Sequence, residues 1–123
     1  MGIMTASAYQ ERNVEGITIL TVKRGLKGAV ESYLKDRIDD LVREGCLQIV
    51  IDLKQVPYVD SSDIGRIIRA HLSARQAGAR VKLCNLSDRV RAIMKMTRLD
   101  TILEIYESEE AAMDSLRQGR AGA

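Results

Sequence analysis

The chain contains no phenylalanine and no tryptophan, and only four tyrosines among its 123 residues. Its core must therefore be aliphatic, built from Ile, Leu, Val and Met. So few aromatic side chains cannot form the stacking platform that binds single-stranded nucleic acid. The net charge is +2, and the Lys and Arg residues are interleaved with acids rather than gathered into a basic stripe. We therefore expect no nucleic-acid partner.

Metal and disulfide chemistry also have few residues available. The only histidine is His71, and the two cysteines, Cys46 and Cys84, lie far apart, each in or beside an apolar run. We interpret both cysteines as small buried hydrophobic residues in a reducing cytosol. A disulfide or a metal pair is the alternative, but no cluster of ligands accompanies them. We expect no metal and no cofactor.

Long hydrophobic runs are absent as well. The apolar runs are too short to span a bilayer, and residues 1–9 have neither a charged start nor a long apolar stretch, so they do not form a signal peptide. We expect a cytoplasmic protein without membrane insertion. The length fits one domain, and 46% apolar with 29% charged residues is ordinary for a folded protein. Both monomer and dimer are left open.

Strand-like and helix-like patterns alternate along the chain. Alternation of residue type predicts strands at 8–14, 17–22, 47–53, 80–84 and 102–106. Helical spacing of apolar residues predicts helices at 29–44, 62–76 and 88–96, and a last helix capped by Ser108. This order predicts an α/β fold with a mixed, mostly parallel sheet of four to five strands and about four helices. The expected domain is 8–117, with flexible tails at 1–7 and 118–123.

One segment, residues 59–65, concentrates polar residues where a strand connection enters a helix. A hydroxyl at Ser62 would face the free N–H groups and positive dipole end of that helix. A phosphate on this oxygen would be stabilised there, and it would add about −1.5 to −2 units of charge beside Asp60 and Asp63. The segment is thus suited to a switch. The alternative is that Ser61 and Ser62 only cap the helix.

Residues 17–116 resemble a STAS domain, the fold of bacterial anti-sigma factor antagonists, because several segments match that domain in the order in which they occur along the chain. The strand, its loop and an Asp-Ser-Ser motif correspond to residues 49–53 and 59–62. The glycine and strand that follow the second helix correspond to residues 78–83. The C-terminal third corresponds to residues 87–90, 97–100, 105–106 and 109–111.

The resemblance implies a partner-binding protein that is not an enzyme. In such antagonists the second serine of the motif, here Ser62, is phosphorylated by a serine kinase that is also the anti-sigma factor. Phosphorylation weakens the docking, and a serine phosphatase restores it. The partner-binding residues expected from this resemblance are Asp60, Ser61, Ser62, Asp63, Ile64, Gly65, Gly25 and Lys27.

The sequence departs from the family pattern at two places. Asp63 stands where the family usually has glycine, so we expect a negative charge beside the phosphate acceptor. The run from Gly25 to Gly28 has no acid, although a Gly-x-Leu-Asp run is common there. These departures favour an alternative, in which the chain is a non-phosphorylated STAS scaffold subunit of a larger sensory or transporter-associated complex.

Several other polar residues and methionines can be interpreted as either structural or functional. Asp52 and Asp60 could form an acid pair or a magnesium site, but no base or phosphate loop accompanies them. His71 is interpreted as structural. Met94 and Met96 either fill gaps in the core or form a docking surface for a partner. Arg89 and Arg91 either solvate the protein surface or bind acidic residues of a partner.

Overall fold

Five strands form one sheet and follow each other across it in chain order. The structure, a computed structural model, describes residues 9–23 and 30–122, with side chains at 10–23 and 34–118. The strands β1 and β2 are antiparallel, and every later neighbour pair is parallel. This confirms the predicted mixed, mostly parallel sheet. The strands are β1 (Tyr9–Val14), β2 (Ile17–Val22), β3 (Gln48–Asp52), β4 (Arg80–Cys84) and β5 (Glu104–Tyr106).

Helices cover both faces of the sheet, one face more thickly than the other. The described helices are α1 (Val30–Arg43), α2 (Ser61–Gln76), α3 (Asp88–Met96) and α4 (Glu109–Gly122). Side chains of α1, α2 and α3 share one buried aliphatic cluster with alternate residues of β2, β3 and β4. A smaller cluster on the opposite face joins α4 to Ile17, Ile19 and Val50. Since both faces are covered, β2 and β3 are almost wholly buried, as continuous apolar strands require.

Local sequence signals set the helix ends. Gly45, with φ +90°, follows the end of α1 in the left-handed conformation that glycine adopts without steric cost. The Oγ of Ser87 accepts the Val90 N–H at 3.2 Å, and the Oγ of Ser108 accepts the Ala111 N–H at 3.1 Å. Both serines therefore cap the following helices, as the sequence predicts for Ser108.

The final helix is longer than expected. The backbone of α4 continues through Gly122, where the sequence suggests a loose tail beyond Arg117. Leu116 is fully buried, and the Arg117 guanidinium binds Glu15 at 2.7 Å and Asp114 at 2.8 Å. These contacts anchor α4 as far as Arg117, and its backbone stays helical beyond that residue. The domain boundaries and the tail at residues 1–7 stay predictions, since that tail lies outside the described residues.

The cysteines occupy opposite faces of the sheet and are both free. Cys84 is fully buried, and burial together with the nearby Asp52 charge raises the pKa of its thiol to about 12. Cys46 is half-buried against the larger cluster. Their separation agrees with their interpretation as small hydrophobic residues. Within residues 9–23 and 30–122, none of the helices has the length and hydropathy needed to cross a bilayer.

Candidate functional site

Two carboxylates hold the start of α2. Asp60 is the residue before the helix, in an extended conformation with φ −105° and ψ −178°. Its Oδ1 accepts the Asp63 N–H at 2.9 Å, and Oδ2 of Asp63 accepts the Asp60 N–H at 3.0 Å. This reciprocal pair is a capping box. The alternative in which Ser61 and Ser62 only cap the helix is therefore wrong, because neither serine occupies the capping position.

Asp63 turns inward rather than toward solvent. Its side chain is 3% exposed, and Arg66 Nη1 donates a hydrogen bond to its Oδ1 at 3.3 Å. From the sequence we expect this charge on the surface beside the phosphate acceptor, but the capping box directs the carboxylate back to the helix start. The signal was present in the Asp-x-x-Asp spacing, which matches the Ser/Thr-x-x-Glu spacing of a capping box with shorter acids.

Ser61 and Ser62 are exposed and form the first two positions of α2. Their backbone N–H groups make no hydrogen bond to any described residue. Helix starts leave such N–H groups free, and the helix dipole makes them an electropositive surface. The hydroxyl of Ser62 therefore stands in solvent beside free donors. Chemically, it can accept a phosphoryl group, and the helix start can stabilise the added charge.

Arginines continue the face of α2 on which Ser62 lies. Helical spacing places Gly65, Arg66 and Arg69 on this face, three, four and seven residues further on. A Cβ added at Gly65 would lie 3.5 Å from the Arg69 guanidinium. The Arg69 guanidinium therefore lies back along the helix over Gly65, one turn closer to Ser62. Ile64 is half-buried and packs against the larger core cluster.

The remaining predicted docking residues, Gly25 and Lys27, lie outside the described residues. Another element, α3, lies close to this site, because Ser87 Oγ donates a hydrogen bond of 3.0 Å to the Pro57 carbonyl. This bond ties the start of α3 to the connection that enters α2. Tyr58, next to Pro57 in that connection, is 53% exposed.

Asp52 lies in a different place from Asp60. Asp52 is fully buried at the end of β3, where its Oδ1 accepts the Lys54 N–H at 2.9 Å. Its carboxylate lies beside Glu109 at the start of α4, and burial and this neighbour raise the pKa of Glu109. The structure thus brings Asp52 to Glu109 rather than to Asp60. No group of three potential metal ligands occurs in the described part of the chain.

His71 and the two methionines also have clear positions. His71 is 7% exposed on α2, and neither ring nitrogen has a hydrogen-bond partner among the described residues. Burial, with Arg75 nearby, lowers the pKa of its imidazole. Met94 is fully buried, as a core residue should be. Met96, two residues later, is 82% exposed.

The sequence profile of the STAS domain matches residues 8–112. That range includes all five strands, the Asp60–Asp63 capping box and Ser62. Together with the sheet order and the exposed serine at the start of α2, the match identifies the chain as a member of the STAS domain family.

Curated relatives share this domain over most of their length. The anti-sigma-B factor antagonist of Listeria monocytogenes is 30% identical over 105 residues, which cover 81% of this chain and 87% of that protein. The anti-sigma F factor antagonist of Paenibacillus polymyxa is 26% identical over 102 residues, which cover 82% and 87%. The chain is therefore similar to anti-sigma factor antagonists over most of the domain.

A solved structure shows the same fold. The anti-sigma factor antagonist SpoIIAA in its unphosphorylated form superposes with a TM-score of 0.74 at 20% identity, covering 90% of this chain and 97% of that chain. The phosphorylated form of SpoIIAA from Bacillus gives a TM-score of 0.67 at 18% identity, covering 89% and 99%.

Proposed function

We propose that this chain is an anti-sigma factor antagonist, which binds an anti-sigma factor through the start of α2 and is released by phosphorylation of Ser62. The observation that carries the proposal is the exposed Ser62 hydroxyl on a helix start held by other residues. The names of the curated relatives support the class of partner. The proposed action is binding, without catalysis by this chain.

The charge of a phosphate explains how the switch would act. Phosphorylation adds about −1.5 to −2 charges to Ser62, next to the exposed Asp60. The free N–H groups of the helix start offset part of this charge inside the molecule. Because Asp60 and Asp63 hold the cap, the fold stays intact while the surface offered to a partner changes from nearly neutral to strongly negative.

Burial of Asp63 favours this switch over the scaffold alternative. The alternative depends on a surface charge at Asp63 that would repel a phosphate. The side chain is 3% exposed and bonded to Arg66, so its charge is buried and partly neutralised rather than exposed at the surface. The proposed kinase is the anti-sigma factor itself, and a serine phosphatase would restore the docking form.

Titration with the purified anti-sigma factor from the same organism tests the proposal. We expect wild type, Ser62→Ala and the neighbouring control Ser61→Ala to bind with equal affinity, and Ser62→Glu to bind at least about tenfold more weakly. Addition of ATP should dissociate wild type and Ser61→Ala but leave the Ser62→Ala complex intact. Calorimetry measures the affinities, and mass spectrometry locates the phosphate.

Two results would contradict the proposal. Equal affinity of Ser62→Glu and wild type would show that charge at this position does not control docking. A phosphate found on Ser61 or elsewhere, with Ser62→Ala still released by ATP, would assign the switch to another residue.

A further inference from the structure

An exposed apolar surface lies next to the connection that enters α2. It consists of the exposed Tyr58, Ala92 and Met96 with the half-buried Ile93, and we call it the α3 surface. The side chains of Tyr58 and Met96 are 53% and 82% exposed, among the few large apolar residues exposed in the described part of the chain. A shallow depression of about 420 Å³ lies between Tyr58 and α3. Met96 does not line this depression, but helical spacing places it one turn beyond Ala92 and Ile93 on the same face of α3. A continuous set of exposed apolar residues is typical of an interaction site.

Cations that lack an ion-pair partner among the described residues lie beside the α3 surface. Arg89 lines its depression, whereas Lys95 and Arg98 flank Met96 along the chain, and Lys95 lines a second depression with Arg91 and Met94. Arg89, Lys95 and Arg98 are all exposed, and none forms a salt bridge to a described carboxylate. Several other arginines bind acids of the same chain, as the pairs Arg12–Glu109, Arg43–Asp40 and Arg117–Glu15 show, whereas Arg75 and Arg80 of the control variant below also form no salt bridge to a described carboxylate. The charges around α3 are therefore available to a partner, and the complementary partner surface is acidic.

The α3 surface is continuous with the Ser62 site. The hydrogen bond from Ser87 Oγ to the Pro57 carbonyl, 3.0 Å long, fixes the start of α3 against the connection that leads to Asp60. Tyr58 and Val59 in that connection line one side of the depression, and Arg89, Ala92 and Ile93 line the other. A partner that contacts the start of α2 therefore reaches α3 without crossing an intervening element.

We infer that the α3 surface is a second part of the docking interface, which binds an acidic segment of the anti-sigma factor. An apolar side chain of that segment packs between Tyr58 and Met96, and its carboxylates face Arg89 and Lys95. This inference rests on the proposed function and adds the chemistry of the partner segment. The arrangement follows the usual anatomy of an interface, in which apolar residues are central and charges lie at the rim.

Binding kinetics with the purified anti-sigma factor test this surface. The variant Arg89→Glu with Lys95→Glu reverses two rim charges. The matched control, Arg75→Glu with Arg80→Glu, reverses two exposed charges, one in the last turn of α2 and one at the start of β4. We expect the α3 variant to associate at least about tenfold more slowly at about 50 mM salt, and within about threefold of wild type at about 500 mM salt. The control should stay within about twofold of wild type.

Met96→Ser tests the apolar part separately. The side chain is so exposed that the fold should be unaffected, which circular dichroism checks. We expect dissociation at least about fivefold faster at both salt concentrations, because loss of a packed side chain acts mainly on the dissociation rate.

Other outcomes would overturn the inference. If the charge-reversal variant behaves as its control while Ser62→Glu still weakens binding, the α3 surface is not part of the interface and the proposed function stands. Binding of duplex DNA, or a dimer that Met96→Ser dissociates in sedimentation, would assign the surface to a nucleic acid or to a second copy instead. If wild type binds no anti-sigma factor, both proposals fail.

Discussion

At the scale of single residues, the start of α2 separates two roles that the sequence places side by side. Asp60 and Asp63 make the hydrogen bonds that hold the helix, and both bonds are at or below 3.0 Å. Ser62 makes no contribution to the cap and keeps its hydroxyl in solvent. A substitution at one of these positions should therefore affect either stability or binding, and rarely both.

Replacement of Asp63 by alanine should destabilise the fold. The change removes the acceptor for the Asp60 N–H and the partner of Arg66, which we expect to lower the free energy of unfolding by about 1–2 kcal/mol. Urea unfolding followed by circular dichroism measures this. The control Asp88→Ala removes an exposed acid from the first turn of α3 and should lose less than about 1 kcal/mol. Equal losses would show that the capping box contributes nothing beyond the dipole.

A phosphate on Ser62 should interact with Arg69. With phosphoserine incorporated at position 62, we expect the second phosphate pKa, ordinarily about 6, to be lowered by the free helix N–H groups and by Arg69. Phosphorus NMR over a pH titration measures it. Arg69→Gln should return part of the shift, whereas Arg89→Gln on α3 should return less. An unchanged pKa in Arg69→Gln would exclude the contact.

At the scale of elements, the glycines differ in what their backbones require. Gly65 lies inside α2, and a Cβ there would make an ordinary contact, 3.5 Å from Arg69. Gly45 ends α1 with φ +90°, a conformation that other residues rarely adopt. Local conformation therefore decides the effect of the same substitution in the two helices.

Gly65→Ala should stabilise the protein and Gly45→Ala should destabilise it. We expect a gain of about 0.5–1 kcal/mol at position 65 from helix propensity and a loss of about 1–2 kcal/mol at position 45 from left-handed strain. Thermal unfolding of the two variants beside wild type measures both. A loss of stability in Gly65→Ala would mean that Arg69 cannot give way.

Elements whose pattern is local were predictable from the sequence. The strands β2 and β4 and the helix α3 have the predicted bounds, because alternation, helical spacing and the Ser87 cap all lie within a few residues. The strand β5 is shorter than predicted, because residues Leu99–Thr101 form a 3₁₀ turn whose bond from the Leu103 N–H to the Leu99 carbonyl continues the coil. A bond of this kind has no counterpart in hydrophobic spacing.

Contacts between distant residues were not predictable in the same way. Asp52 and Asp60 are a possible acid pair from the sequence because they lie near each other along the chain, whereas the structure places Asp52 beside Glu109. Only the docking of α4 on the sheet brings that glutamate to β3. The position of Ser62 at a helix start was predictable from its neighbours. The inward turn of Asp63 depends on which residue begins α2, and helix bounds from sequence are uncertain by about two residues.

At the scale of the whole molecule, the two faces of the sheet differ in how pH should affect them. On the side of the larger, aliphatic cluster α2 contains the buried His71, whose pKa is lowered, whereas the α4 face contains the buried Asp52 beside Glu109, whose pKa is raised. The Asp52 Oδ2 has no hydrogen-bond donor among the described residues. A protonated Glu109 would supply this donor, whereas an ionised Glu109 repels the Asp52 carboxylate.

Stability should therefore depend on the ionisation of Glu109. Its pKa is raised in the folded state, so its contribution is fully present below its unfolded pKa, near 4.5, and is lost as pH rises through the folded value. The Glu11 carboxyl acts in the opposite sense. Its hydrogen bond from Arg37 lowers its pKa, and its contribution is lost as pH falls through the folded value.

The free energy of unfolding of Glu109→Gln should rise relative to that of wild type by about 1 kcal/mol as pH increases from 4 to 8. The reason is that the glutamine amide stays neutral and can donate a hydrogen bond to Asp52. Urea unfolding across this range measures the difference. Glu110→Gln, at the exposed neighbouring position, should show no such trend. A constant difference between Glu109→Gln and wild type at every pH would rule out a raised pKa at Glu109.

The division of labour at the start of α2 has an evolutionary consequence. Since the residue at position 62 takes no part in the helix cap, selection acts on mutations there only through partner recognition. Changes at Asp60 or Asp63 are selected first through their effect on folding. Paralogues that descend from one ancestral domain can thus diverge in their signalling circuits at this position, and insulate themselves from cross-talk, while inheriting an unaltered scaffold.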